Sequence, residues 1–169
     1  PGQRNRGIVN RGMASFTDIL PTVIDWLGIP GPGYPLHGRS LLPVLEQAAP
    51  PGREEVYLSH TFHEINNYYP YRAIRTRRYK YVKFLFPELE MPLPSDLFDS
   101  PTWQGILRRK DEFMGKRRTA AVLRHAGEEL SDLETDPEET RNLAGERPGV
   151  VAELRAILAR HPEARSPIR

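Results

Sequence analysis

A chain of 169 residues fits one domain and is long enough to bury a proper core. Its 24 Lys+Arg against 22 Asp+Glu leave a net charge of +2, too balanced to argue for nucleic acid as a partner. There is no cysteine, which excludes disulfides, thiolate metal sites and cysteine nucleophiles together; no apolar run is long enough to span a membrane, and no signal-peptide pattern is read at the start.

Residues 1–12, opening "PGQRNRG", read as a linker remnant, a chain entered midway, or else as a flexible terminus. "SFTDILPTVIDWLG" predicts the first helix, capped by Thr17 or Asp18. Pro21 is tolerable there in the first turn, and Gly28 supplies the stop. Ile19, Leu20, Val23, Ile24 and Leu27 form its apolar stripe. A proline-rich loop follows, and Ser40 can cap a short helical piece through Leu41, Leu42 and Leu45. "EEVYLSHT" has strand composition, and "YRAIRTRRYKYVKF" alternates with period two on both sides of a turn near Thr76–Arg78, as an antiparallel hairpin does.

Residues 85–128 form an insertion. It starts irregular and proline-punctuated, then makes a helix over "SPTWQGILRRKDEF" with Trp103, Ile106 and Leu107 on one side, and a weaker one over 116–126. Leu130 and Leu133 suit a short strand. Asp136 before Pro137, with Glu139 three residues on, predicts a capping box opening one helical turn. "RPGVVAELRAILARH" closes the chain as an amphipathic helix with Val151, Leu154, Ile157 and Leu158 inward. The order implies an α+β fold, a small antiparallel sheet packed with helices.

Few motifs carry chemistry. G-x-S-x-G, P-loop, H-E-x-x-H and paired C-x-x-C patterns are all missing from the sequence. His60 and His63 would point to opposite faces of a strand, and the remaining histidines are remote in sequence, so no metal site is read. "RTRRYK", with Arg75, Arg77, Arg78 and Lys80, and "MGKRR" could grip anionic oxygens or be solvated charge. The densest run of hydrogen-bonding and aromatic side chains is "SHTFHEINNYYPYR", Ser59 to Arg72. It is either a recognition surface or a sheet edge whose groups satisfy one another.

Three segments resemble sulfatases, in that family's order. "SFTDILPTVIDWLG…GRSLLP" is similar to the D-x-x-P-T helix followed by G-R-S-L-x-P. "YRAIRTRRYKYV" is similar to the R-x-x-R-x-x-x-x-K-Y hairpin, and "EELSDLETDPEETRNLA" to the E-L-Y-D-L-x-x-D-P-x-E-x-x-N-L-A closing motif, with Ser131 in place of tyrosine. "PTVIDWLGIPGPGY", "HEINNYYPYR" and "MPLPSDLFDSPTWQGILRR" are most similar to the sulfamidase branch, which acts on N-sulfated glucosamine.

The resemblance implies a C-terminal sulfatase domain, with a formylglycine nucleophile and a calcium ion in an N-terminal catalytic domain that this chain does not contain. It also implies that domain as partner, and a sulfated glucosamine glycan as substrate. His63 and Glu64, then Tyr69, Arg72 and His60, are the residues expected at the pocket rim; Arg75, Arg77, Arg78 and Lys80 are weaker anion-binding candidates. The chain alone is expected to be inactive. Its other readings are a sulfated-glycan-binding module, or a remnant that self-associates through an uncovered face.

Overall fold

The computed structural model describes residues 5–64 and 67–165, without the side chains of Glu163 and Arg165. Where length suggests one domain, its contacts divide the chain into two compact units, Pro1–Val56 and Tyr57–Arg169.

The first unit is organised by Asp18. A 3-10 turn, Phe16–Asp18, leads into α1, Ile19–Leu27, which ends on Gly28 at φ 62°. Asp18 stands at the N-cap of α1 but makes no side-chain cap bond there, and the capping side chain is neither Asp18 nor Thr17 but Ser15, which opens the preceding 3-10 turn. Its hydroxyl accepts from the Thr17 amide at 3.3 Å, while the Asp18 carboxylate accepts from the Ser15 amide at 3.0 Å. Asp18 is a poor cap because its carboxylate is committed further along the chain, accepting from the Arg39 amide at 2.8 Å and from the Arg53 guanidinium at 2.6 Å. Thr22 reinforces the link, donating to the Asp18 carbonyl and accepting from the Leu41 amide. Gly38 has to be glycine, since a Cβ there would lie 1.9 Å from the Thr17 carbonyl oxygen. Ser40 does open a short turn at Leu42–Val44, accepting from the Leu42 amide and donating to Asp25. The α1 stripe is not inward, however. None of the helix's residues is buried, and Phe16 and Trp26 are 91% and 61% exposed.

The second unit is built on a four-stranded sheet in the order β1–β2–β3–β6. Strands β1 (Glu55–His63), β2 (Asn67–Thr76) and β3 (Tyr79–Phe84) are consecutive, and β6 is Glu128–Asp132. Strands β2 and β3 pair antiparallel as the alternation predicts, with Tyr71 opposite Phe84, Ala73 opposite Val82 and Arg75 opposite Lys80. Strand β6 pairs antiparallel with β3.

One face of the sheet carries Ile74, Tyr81 and Leu130. It is closed by Val151, Leu154 and Leu158 of α5 (Pro148–Leu158), with Leu143. Burying each such side chain contributes roughly 1.5–3 kcal/mol, which makes this layer the main stabiliser of the unit. The other face carries Tyr69, Ala73, Val82 and Phe84, with Tyr71 and Met91 against them.

The segment between β3 and β6 holds α2 (Ser95–Phe98), α3 (Pro101–Arg109), the hairpin β4 (Phe113–Met114) and β5 (Arg117–Arg118), and α4 (Ala120–Leu123). In α3 the Ser100 hydroxyl caps at Trp103 and Trp103 and Ile106 are buried, while Leu107 stays 43% exposed. A last short helix, α6, spans Pro162–Arg165.

Two local expectations fail. Leu133 lies past the end of β6, its amide bonded to the Arg78 carbonyl. The "TDPEE" segment makes a turn and not a helix. The Asp136 carboxylate accepts from the Arg141 amide at 2.9 Å, and Glu139 sits at φ 54°, a left-handed conformation that cannot continue a helix.

Candidate functional site

Strand alternation divides the Ser59–Arg72 stretch. Tyr69 and Tyr71 point to one face of β2, and Arg72 with Ile74 to the other. Tyr69 is only 2% exposed, packed between Phe84 and His125, and burial pushes its phenol above the usual range. Arg72 is 8% exposed and donates to the carbonyls of His60 and Tyr71, holding β1 against β2. His60 stacks on Tyr71 at 5.1 Å, its Nδ1 2.9 Å from the Tyr69 carbonyl. Tyr69, Arg72 and His60 therefore brace the strand pair.

His63 and Glu64 are exposed where β1 ends. Glu64 adopts φ 56°, rare for a residue with a Cβ, and its carboxylate reaches Ser95 at 3.1 Å and Asn67 at 3.4 Å. Ile65 and Asn66 lie outside the described residues. The five candidates thus separate into two surface groups at a strand end and three internal supports.

Of the basic candidates, Arg77 is exposed in the β2–β3 turn. Arg78 forks onto Asp132, whose carboxylate is fully buried and is held below the usual range by that guanidinium. Lys80 meets Glu139. Arg75 is half-buried, and its guanidinium has no hydrogen-bond or ion-pair partner among the described residues.

Arg75 and Lys80 line a cleft of about 730 Å³ over the Tyr71–Ala73–Val82–Phe84 face. Arg117, Arg118, Arg141, His125 and Glu129 also line it. The His125 ring stacks on Phe84 at 4.4 Å, and its Nδ1 lies 3.0 Å from Glu129. The "MGKRR" run pointed to part of this site. Nothing local marked His125 or Arg141, because only the β3–β6 register and the Asp136 turn bring them in.

Elsewhere, burial would raise the Glu128 carboxyl, but the Tyr81 hydroxyl and Arg155 outweigh it and hold the group low; Tyr81 is pushed up to about 12, chiefly by burial. Among the described residues no three His, Asp or Glu side chains converge as metal ligands. Nor is any described helix long and apolar enough to cross a membrane.

Residues 1–103 match the family described as N-sulphoglucosamine sulphohydrolase, C-terminal. The chain belongs to this family. It is 37% identical, over 150 positions, to the human N-sulphoglucosamine sulphohydrolase, an alignment covering 82% of this chain and 29% of that protein. It is 31% identical to an ulvan-active sulfatase of Formosa agariphila, covering 82% of this chain and 26% of the other. Among solved structures it is similar to a 2-O GAG sulfatase, with a TM-score of 0.52 and 27% identity over 85% of this chain and 23% of that one. The chain therefore spans less than a third of the curated relatives it matches.

As a C-terminal sulfatase domain, its sequence motifs acquire physical meaning. D-x-x-P-T and G-R-S-L-x-P are the two halves of the Asp18 staple, since Asp18 accepts from Arg39 and Thr22 from Leu41. The R-x-x-R hairpin and the closing motif meet where Arg78 grips Asp132 and Lys80 meets Glu139. In this chain Asp18, Thr22, Lys80 and Asp132 are held within the scaffold, whereas Arg75, the second arginine of the hairpin motif, has no hydrogen-bond or ion-pair partner among the described residues.

Proposed function

We propose that this chain serves as the C-terminal portion of a sulfatase that hydrolyses N-sulfated glucosamine. In this reading it completes the fold of a catalytic portion carrying the formylglycine and the calcium ion, and it lends His63 and Glu64 to the rim of the substrate pocket. The observation that carries the reading is the 37% identity to the human N-sulphoglucosamine sulphohydrolase, which extends across both units. The uncovered apolar side of α1 supports it. Phe16, Ile19, Leu20, Trp26 and Leu27 form an exposed patch that suits packing against a further layer of protein.

His63 and Glu64 suit a rim because they are exposed and lightly engaged at a strand end fixed from behind by Arg72 and His60. A carboxylate and an imidazole there can read sugar hydroxyls. With no nucleophile among its motifs, the chain by itself should release no sulfate from N-sulfoglucosamine or from an aryl sulfate. Turnover by rigorously purified chain would overturn the proposed division of labour.

A further inference from the structure

We infer that the cleft over the Tyr71–Phe84 face is a second ligand site, which takes a sulfate-bearing saccharide segment with Arg75 as its main oxyanion donor. The inference takes its ligand class from the reading above, but it concerns a different surface from the His63–Glu64 rim and requires no catalysis.

Register supplies the first argument. Arg75 and Lys80 are directly opposite across β2 and β3. Like charges in such a pair destabilise a sheet. Only Lys80 has a carboxylate, Glu139, and Arg75 is left half-buried with its charge unanswered among the described residues. An oxyanion seated between the pair would relieve the repulsion and complete the guanidinium fork.

The lining supplies the second. Arg75, Lys80, Lys116, Arg117, Arg118 and Arg141 face only Glu129 and Glu139 as lining carboxylates. The other lining cations are engaged, Lys80 and Arg117 with Glu139, Lys116 with Glu138, Arg118 with Glu112 and Arg141 with Glu146, so among the described residues Arg75 is the one lining cation left open. The buried Nε2 of His125 also has no hydrogen-bond partner among the described residues.

Shape and polarity supply the third. The cation row at one end gives way to Tyr71, Phe84 and Met91 at the other, which offers a sugar ring apolar and aromatic walls beside a polar, anion-holding end. About 730 Å³ falls within the usual size of small-ligand pockets. An acidic peptide would use the charge but not the aromatic end.

The test is calorimetric titration of the 169-residue chain with a heparin-derived tetrasaccharide. The N-acetylated, unsulfated tetrasaccharide and an acidic peptide of equal charge are the comparisons. Saturable binding of the sulfated sugar alone is expected. Arg75→Gln should weaken it roughly tenfold, and Arg75→Lys by less, while Arg77→Gln, which removes the same charge from the exposed turn, should leave it within about twofold.

Arginine-specific dicarbonyl labelling of the unsubstituted chain gives a reading that survives misfolding of any variant, because the sugar should protect Arg75 and not Arg77. Equal weakening by Arg75→Gln and Arg77→Gln would overturn the site, as would equal labelling with and without sugar, or equally tight binding of the peptide. A rim failure at His63 and Glu64 would leave these results unchanged, so the two readings fail separately.

Discussion

Asp18 and Arg53, thirty-five residues apart, meet through a 2.6 Å ion pair whose side chains are only 7% and 6% exposed. The pair is saturated. Arg53 also donates to the carbonyls of Arg39 and Ser40, and Asp18 also accepts from the amides of Ser15 and Arg39. Removing one partner of such a pair strands the other's charge, which costs more than the pair itself contributes. Asp18→Asn should therefore destabilise the first unit by about 3 kcal/mol, the low end for a buried pair, because neither side chain is fully buried. A urea melt followed by amide hydrogen exchange over residues 15–53 checks this; an unchanged midpoint would mean that the staple is ornamental.

Gly38 makes a second, steric prediction. The 1.9 Å approach of a Cβ to the Thr17 carbonyl is to backbone and cannot be relieved by turning a side chain. Gly38→Ala should cost about 3 kcal/mol or more, at the top of the range for overpacking. Gly33→Ala, where a Cβ meets nothing within 4 Å, is the matched control and should be close to neutral. Equal midpoints for the two variants would contradict the close approach.

Stability should fall at both ends of the pH scale. Asp132 is held low first by Arg78. In Asp18, Glu128 and Asp136 burial acts upward, but amide, hydroxyl or guanidinium donors prevail, and all three also lie below their usual values. A depressed folded value stabilises above the unfolded carboxyl range, about pH 4, and that contribution is lost as the pH falls through the folded values. Burial raises Tyr69 and Tyr71, and Tyr81 to about 12. Their contribution is complete below about pH 10 and is lost as the pH climbs toward 12. Urea midpoints measured across pH should trace a plateau with two falling flanks. A flat profile between about pH 6 and about pH 3 would refute the carboxylate assignments.

The elements that the sequence made legible are those whose neighbours in sequence are also their neighbours in space. The β2–β3 hairpin, α5 and the Gly28 stop follow from local alternation, helical spacing and a left-handed cap. Asp136 was misread because its carboxylate and that of Glu139 have competing partners, Arg141 and Lys80, that no local pattern shows. The α1 stripe has correct helical spacing, yet spacing gives no information on what covers a helix. At the candidate site, composition singled out Ser59–Arg72 but not the parity that sends Tyr69 and Arg72 to opposite faces. The cleft was half legible: "MGKRR" and Lys80 were visible as charge, while His125 and Arg141 depend on tertiary register.

For the rim, the informative setting is a chimera in which this chain replaces the matching portion of the human N-sulphoglucosamine sulphohydrolase. His63→Ala and Glu64→Gln should each raise KM for N-sulfoglucosamine severalfold, by the loss of about one hydrogen bond, with little change in melting temperature. Tyr69→Ala should instead lower the melting temperature, since it removes a core ring worth about 3 kcal/mol or more. KM values that stay level in both rim variants would remove His63 and Glu64 from the pocket.

The same chimera, without substitutions, tests the central claim most directly through sulfate release from N-sulfoglucosamine beside a 6-O-sulfated, N-acetylated control. The account predicts a folded enzyme that cleaves the sulfamate and leaves the ester control largely intact. A folded chimera that releases sulfate from the ester and none from the sulfamate would contradict it.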